Sequence, residues 1–305
     1  QAALAETAMA SPPTPAPTPR NHRRGLAAAL IVVVAVVVSA FVVINSQFHS
    51  ATTPAQVVLP CTGLDGPAGI GVDAKGDVYV VDSGNNRVLE LAAGSTSPTV
   101  VPLAALDRPD DIAVDDAGDL VVTEPTRHRV LELTAGSISP TVLPFTDLGD
   151  PTGVAVTSRD PRAVFVTDSA HNRVLQLPAH STEQTELPFS GLNGPSAVAV
   201  GGDRAVFVID RENERVLKLA RTATVDTVLP YIIGRPDWVA VDTAGNVYVT
   251  HSRDNRVIKL VKESNTSITL PFNGLNSPQG VAVDAAGNVY VADAGNNRVL
   301  KLPPS

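Results

Sequence analysis

Val289-Tyr290-Val291-Ala292-Asp293-Ala294-Gly295-Asn296-Asn297-Arg298-Val299-Leu300-Lys301-Leu302 is the phrase that decides the fold. A short apolar run, a Gly-Asn-Asn turn and a second apolar run predict two strands joined by a tight turn. Just upstream, Gly280-Val281-Ala282-Val283-Asp284 alternates as a third strand, and Ala285-Ala286-Gly287-Asn288 joins it to the pair. Variants of the phrase carry Arg87, Arg129, Arg173, Arg215, Arg256 and Arg298, with steps of 42, 44, 42, 41 and 42 residues. A fixed period of this length identifies a repeat architecture.

Earlier units add a fourth strand, such as Thr227-Val228-Leu229 or Ser267-Ile268-Thr269-Leu270. Four short strands per repeat predict the blade of a β-propeller. The sixth unit stops after its third strand, whereas an orphan fourth strand, Gln56-Val57-Val58-Leu59, precedes the first unit. That strand is expected to complete blade 6 and close the ring, leaving no open seam between its ends. The expected fold is all-β: a six-bladed propeller over residues 56–303.

The first 45 residues differ in kind. The chain opens on Gln1 rather than Met, which reads as a fragment or a processed product. Residues 1–24 are rich in Ala, Pro, Thr and Ser and end on Arg20, Arg23 and Arg24, a composition expected of a disordered cytoplasmic linker. Residues 25–45 carry no charge, and about 20 apolar residues match the roughly 30 Å hydrocarbon core of a bilayer. A single transmembrane helix is therefore expected there, followed by a stalk over 46–55. The arginines before the span place the N-terminus in the cytoplasm and the propeller outside the plasma membrane. The alternative, a cleaved signal peptide, fits less well. The run exceeds the usual h-region of about 7–15 residues, and its small-residue site, Val38-Ser39-Ala40, lies inside it.

Net charge is −8, and the part after the span is more acidic still, since three arginines but only one acid precede it. Such a surface repels phosphate backbones, so nucleic acid is not expected as a partner. Lone Cys61 allows no internal disulfide. It occupies the place where other units have Phe145, Phe189, Tyr231 and Phe272, which fits a small buried core residue.

The phrases Asn-Arg-Val-Leu-Lys-Leu, Val-Leu-Pro-Phe and Gly-Val-Ala-Val-Asp resemble NHL repeats. With the Pro/Thr-rich segment and the apolar span before six such units, the arrangement resembles the C-terminal half of the PknD-type mycobacterial transmembrane serine/threonine kinases. The resemblance implies a kinase domain in cis on the cytoplasmic side and an extracellular sensor propeller, itself non-catalytic. The expected partner is an extracytoplasmic ligand: a peptide, a glycan or a protein. A homodimer would bring two kinase domains together. Two other readings remain open, an anchored propeller enzyme of lyase or lactonase type and a surface adhesin or scaffold.

An acid lies five residues before five of the six arginines: Asp82, Glu124, Asp168, Asp210 and Asp293. The pair is expected to brace the turn between second and third strands. A ring of anion-binding arginines is the functional alternative. In blade 5 His251 replaces the acid, which leaves Arg256 open to a ligand or an internal carbonyl. No catalytic residues, metal or cofactor are expected. The inner strands, such as Ile112-Ala113-Val114 and Val239-Ala240-Val241, bear no acid or histidine, and His128, His171 and His251 fall in blades too far apart to share zinc.

Loops from each fourth strand to the next blade share a face with the second-to-third-strand turns, and binding is expected on that face. One slot at the channel mouth reads Gly69, Asp111, Gly153, Ala197, Trp238 and Gly280. The two exceptions, Asp111 and Trp238, belong to opposing blades. Trp238 is either a plug for the channel or a stacking platform for a sugar, peptide or aromatic ligand. In the second case Asp110, Asp111, Asp237, Arg108, Arg127, Arg235 and His251 line the same patch.

Overall fold

The computed structural model describes residues 55–103, 105–157, 161–230, 234–262 and 264–304. The linker, the transmembrane segment and nearly all of the stalk expected at 1–54 lie outside these residues. Among the described residues no helix is long and apolar enough to cross a membrane.

The described chain forms six four-stranded antiparallel sheets. Blade 1 shows the pattern: inner strand Pro67–Val72, second strand Val78–Asp82, third strand Arg87–Leu91 and outer strand Thr99–Val100. The second strand is buried along its whole length, as expected for a segment with a neighbouring blade on each face. Cores form between blades rather than within them. One apolar cluster runs through blades 4, 5 and 6, with Phe207, Trp238, Tyr248 and Val291 among its members.

Ring closure follows the expected route. Val57 pairs with Lys301 and Val58 with Leu300, so the segment before blade 1 supplies the outer strand of blade 6. Cys61 packs behind that strand at 6 % exposure, and burial pushes its thiol pKa up to about 11. Two of the three outer strands named from the sequence are shorter than read, Val57–Val58 and Thr227–Val228 spanning two residues each, while Thr266–Thr269 keeps its four. A proline follows within two residues, Pro60 and Pro230 here, and a residue without an N–H cannot extend the ladder.

Each turn between second and third strands contains a single 3-10 turn in five blades, for example Ser83–Asn85, and ends on a left-handed residue. That residue is Asn86, His128, Asn172, Glu214, Asn255 or Asn297, with φ between 49° and 55°. Asparagine tolerates this conformation better than most side chains, which accounts for the Asn in the repeated Asn-Arg pair.

Candidate functional site

The repeated acid and arginine do the same work in blade after blade. Asp82, fully buried, accepts from Arg87 Nε at 2.7 Å, from Asn85 Nδ2 at 2.8 Å and from the backbone N–H of Asp65 at 2.7 Å. Arg87 also donates to the carbonyl of Gly63. The loop entering the blade is thus fastened to the turn. Arg129 binds Glu124 at 2.5 Å, Arg173 binds Asp168 at 3.0 Å, Arg215 binds Asp210 at 2.6 Å and Arg298 binds Asp293 at 2.6 Å.

Blade 5 departs from this arrangement. Arg256 is not left open: its Nη2 pairs with Asp254 at 2.9 Å. Where Asp82 has Asn85 as a donor three residues on, His251 has Asp254. Acid and donor have exchanged places. His251 is 1 % exposed, and neither ring nitrogen has a hydrogen-bond partner. Burial, helped by Arg256, holds its pKa below the usual histidine value, with Asp254 and Asp237 acting against the shift. His251 therefore belongs to the blade interior and not to the exposed patch expected of it.

The left-handed asparagines make a second set of ties, between blades. Asn86 Oδ1 accepts the N–H of Arg108 at 2.7 Å, Asn172 that of Gly194 at 2.8 Å, Asn255 that of Ser277 at 2.7 Å and Asn297 that of Gly66 at 2.9 Å. Sequence reasoning missed these ties, although the Asn preceding most of the repeated arginines was their signal.

At the axis, Trp238 and Asp111 meet. The indole Nε1 donates to Asp111 Oδ1 at 3.2 Å, joining blade 5 to blade 2 across the channel mouth. Asp111 also accepts the N–H groups of Ile112 at 2.8 Å and Val154 at 3.0 Å. Trp238 is 8 % exposed and Asp111 4 %. Small neighbours make this possible: a Cβ at Gly69 would lie 2.6 Å from Asp111 Oδ1, and one at Gly280 would lie 2.5 Å from the Ala68 carbonyl. Trp238 thus lies buried across the mouth, bonded to Asp111, as a floor to it.

Around that floor stand the residues before the slot. Asp237 is 2 % exposed, accepts from Arg211 Nε at 3.1 Å and takes the N–H of Ser252 at 2.7 Å. Asp110 is partly buried, and its pKa is pushed up to about 7 by burial and by Asp111 and Asp150, against the pull of Arg211 and Arg108. Burial likewise pushes Asp111 up to about 7, opposed by its three donors. Asp150 is raised by burial and by Asp168. Arg108 and Arg127 are exposed, Arg127 bonding Glu124 at 3.0 Å, while Arg235 is partly buried and paired with Glu212. Of the expected patch, then, the structure gathers Trp238, Asp111 and Asp110 at the mouth with Asp237 beside them. It sets the three arginines on the surrounding loops and puts His251 inside. Arg211 and Asp150, which sequence reasoning passed over, join the mouth from blades 4 and 3. Among the described residues no three His, Cys, Asp or Glu side chains converge as a metal site.

An NHL repeat signature matches residues 64–91 and 275–302, which fall in blades 1 and 6. The serine/threonine-protein kinase PknD of Mycobacterium tuberculosis (strain CDC 1551 / Oshkosh) is 46 % identical over 77 residues, covering 24 % of this chain. The matched segment spans only 12 % of that kinase. Among solved structures, a gluconolactonase from Xanthomonas campestris superposes with a TM-score of 0.68 at 16 % identity, over 81 % of this chain and 89 % of that one. A streptogramin B lyase superposes at 0.63 and 16 % identity, over 81 % of this chain and 96 % of the lyase. A chain of a nidogen/laminin complex superposes at 0.65 and 19 % identity, over 71 % and 84 %. At such identities these structures share the fold and nothing more. The chain carries NHL repeats and folds them into a closed six-bladed β-propeller.

Proposed function

We propose that this propeller is the non-catalytic, ligand-binding sensor domain of a single-pass membrane serine/threonine kinase, with the propeller outside the plasma membrane. The observation that carries the reading is the 46 % identity to PknD over 77 residues of a chain that carries NHL repeats. The apolar segment 25–45, with arginines on its N-terminal side, supplies the span. The ligand, a peptide, glycan or protein, meets the loop face through Arg108, Arg127, Arg235 and Asp110, over the floor made by Trp238 and Asp111. Asp237 lends its charge from below.

A lyase or lactonase reading has less support. The axial position at this mouth is occupied by an indole bonded to a carboxylate, and the buried acids there are engaged by backbone and arginine donors. The test is the encoding locus. A catalytic loop with His-Arg-Asp and a magnesium motif Asp-Phe-Gly are expected upstream of Gln1, in frame. A start codon beside Gln1 with no kinase sequence would overturn the proposal.

A further inference from the structure

Four of the six seams between blades are tied on the loop face by a neutral bond from a left-handed asparagine to the next blade's backbone. At the seam from blade 2 to blade 3, His128 Nδ1 lies 2.6 Å from the Gly149 carbonyl and serves the same purpose. The seam from blade 4 to blade 5 is different. Its left-handed residue is Glu214, exposed, with no bond to blade 5 among the described residues. In place of the tie stand two crossed ion pairs. Arg211 of blade 4 holds Asp237 of blade 5 at 2.9 Å, and Arg235 of blade 5 holds Glu212 of blade 4.

The apolar core runs unbroken through blades 4, 5 and 6, so the difference is confined to the rim. Three of the four charged side chains are one-fifth to one-half exposed: Arg211 37 %, Arg235 20 % and Glu212 48 %. The exposed Arg235–Glu212 pair contributes little and weakens as salt rises; Arg211–Asp237, whose carboxylate is 3 % exposed, is screened less, and neutral backbone bonds hardly respond to salt. Ser196 Oγ adds a single neutral bond, to the Asp237 carbonyl at 2.9 Å. The pairs also sit beside the mouth: Asp237 directly precedes Trp238, and Arg211 faces Asp110.

We infer that the blade 4–blade 5 rim is an ionic latch over the Trp238 floor, the one seam of the loop face built to open, and that its opening admits solvent or a ligand to the indole. The inference concerns this chain's own mechanics and holds whether or not the propeller serves a kinase.

Trp238 is the sole tryptophan, so its fluorescence reports the floor directly. Acrylamide quenching of the intact chain is expected to rise between about 0.05 M and about 0.5 M NaCl. Amide exchange at 211–214 and 235–238 is expected to accelerate over the same range by about two- to tenfold, the equivalent of one net hydrogen bond. The corresponding segments at 83–86 and 108–111 should not change. Glu214→Asn places, at a φ of 53°, the side chain whose Oδ1 accepts the next blade's N–H at four other seams. It should flatten the salt response of both readouts. Quenching that ignores salt, exchange that responds equally at every seam, or a Glu214→Asn chain that behaves like wild type would each overturn the latch.

Discussion

Replacing Asp82 by alanine separates structural fastening from ligand binding as the role of the repeated acid. The fully buried carboxylate accepts from Asp65 N–H, Asn85 and Arg87, at 2.7–2.8 Å. Three such bonds taken at about 1.5–3 kcal/mol each would sum to well above 4 kcal/mol. That overstates the cost, because Arg87 is 32 % exposed and Asn85 lies at the surface, so both regain water once the acid is gone. The expected loss is about 2–3 kcal/mol, just below the range for breaking a buried pair. The control is His251→Ala at the equivalent position. That ring has no partner for either nitrogen, so its removal sacrifices packing while relieving an unpaired buried donor. Its net cost should stay under about 1 kcal/mol. Urea unfolding followed by far-ultraviolet circular dichroism gives both numbers. If Asp82→Ala costs less than about 0.5 kcal/mol, or the two substitutions cost the same, the fastening argument is wrong.

Three further outcomes follow from the same geometry. The double substitution His251→Asp with Asp254→Asn recreates in blade 5 the arrangement of Asp82 and Asn85; it should raise stability by about 1 kcal/mol, and a lower urea midpoint would count against the exchange of acid and donor described for that blade. Asp110 and Asp111, at about 7, keep protons that the unfolded chain gives up near pH ~4, so their contribution to stability falls as pH rises from ~4 to ~7 and is level above. His251 acts in the opposite sense, since below pH ~6.5 the unfolded chain gains a proton that the buried ring resists. Asp110→Asn should flatten the acid contribution in urea midpoints measured across pH, and an unchanged slope would show that Asp110 is ionised throughout. Cys61, with its thiol pushed up to about 11 and buried, should resist Ellman's reagent in the native chain and react rapidly in urea. Fast native labelling would place it at the surface.

The fold was legible because its signals are local and repeated. Val289–Asp293 and Arg298–Leu302 are strands at the residues the pattern named, and the orphan strand before blade 1 does close the ring. Inner strands were misplaced by a residue or two: Pro278–Val283 replaces 280–284, since a proline that opens a strand looks like a breaker in sequence. The axial contact was half legible. Asp111 and Trp238 stood out as exceptions in one slot of opposing blades, but their bond depends on ring diameter, which no local pattern encodes. The Arg211–Asp237 pair and the exchange between His251 and Asp254 were not legible for a related reason. Each substitution makes sense only beside a second one, on another loop for Arg211 and three residues along the same turn for His251, and a repeat read one column at a time registers it as noise.

Closure by Val57–Val58 also bears on how the molecule comes into being. Its partners, Leu300 and Lys301, are made only after all the other blades, so a growing chain carries an incomplete ring throughout its synthesis. Pairings of such long sequence separation are slow to form, and the waiting edge is where mispairing between chains begins. The last blade must therefore assemble with the first strand already in hand. Folding of this propeller is expected to be limited by that single late encounter rather than by any of the hairpins that precede it.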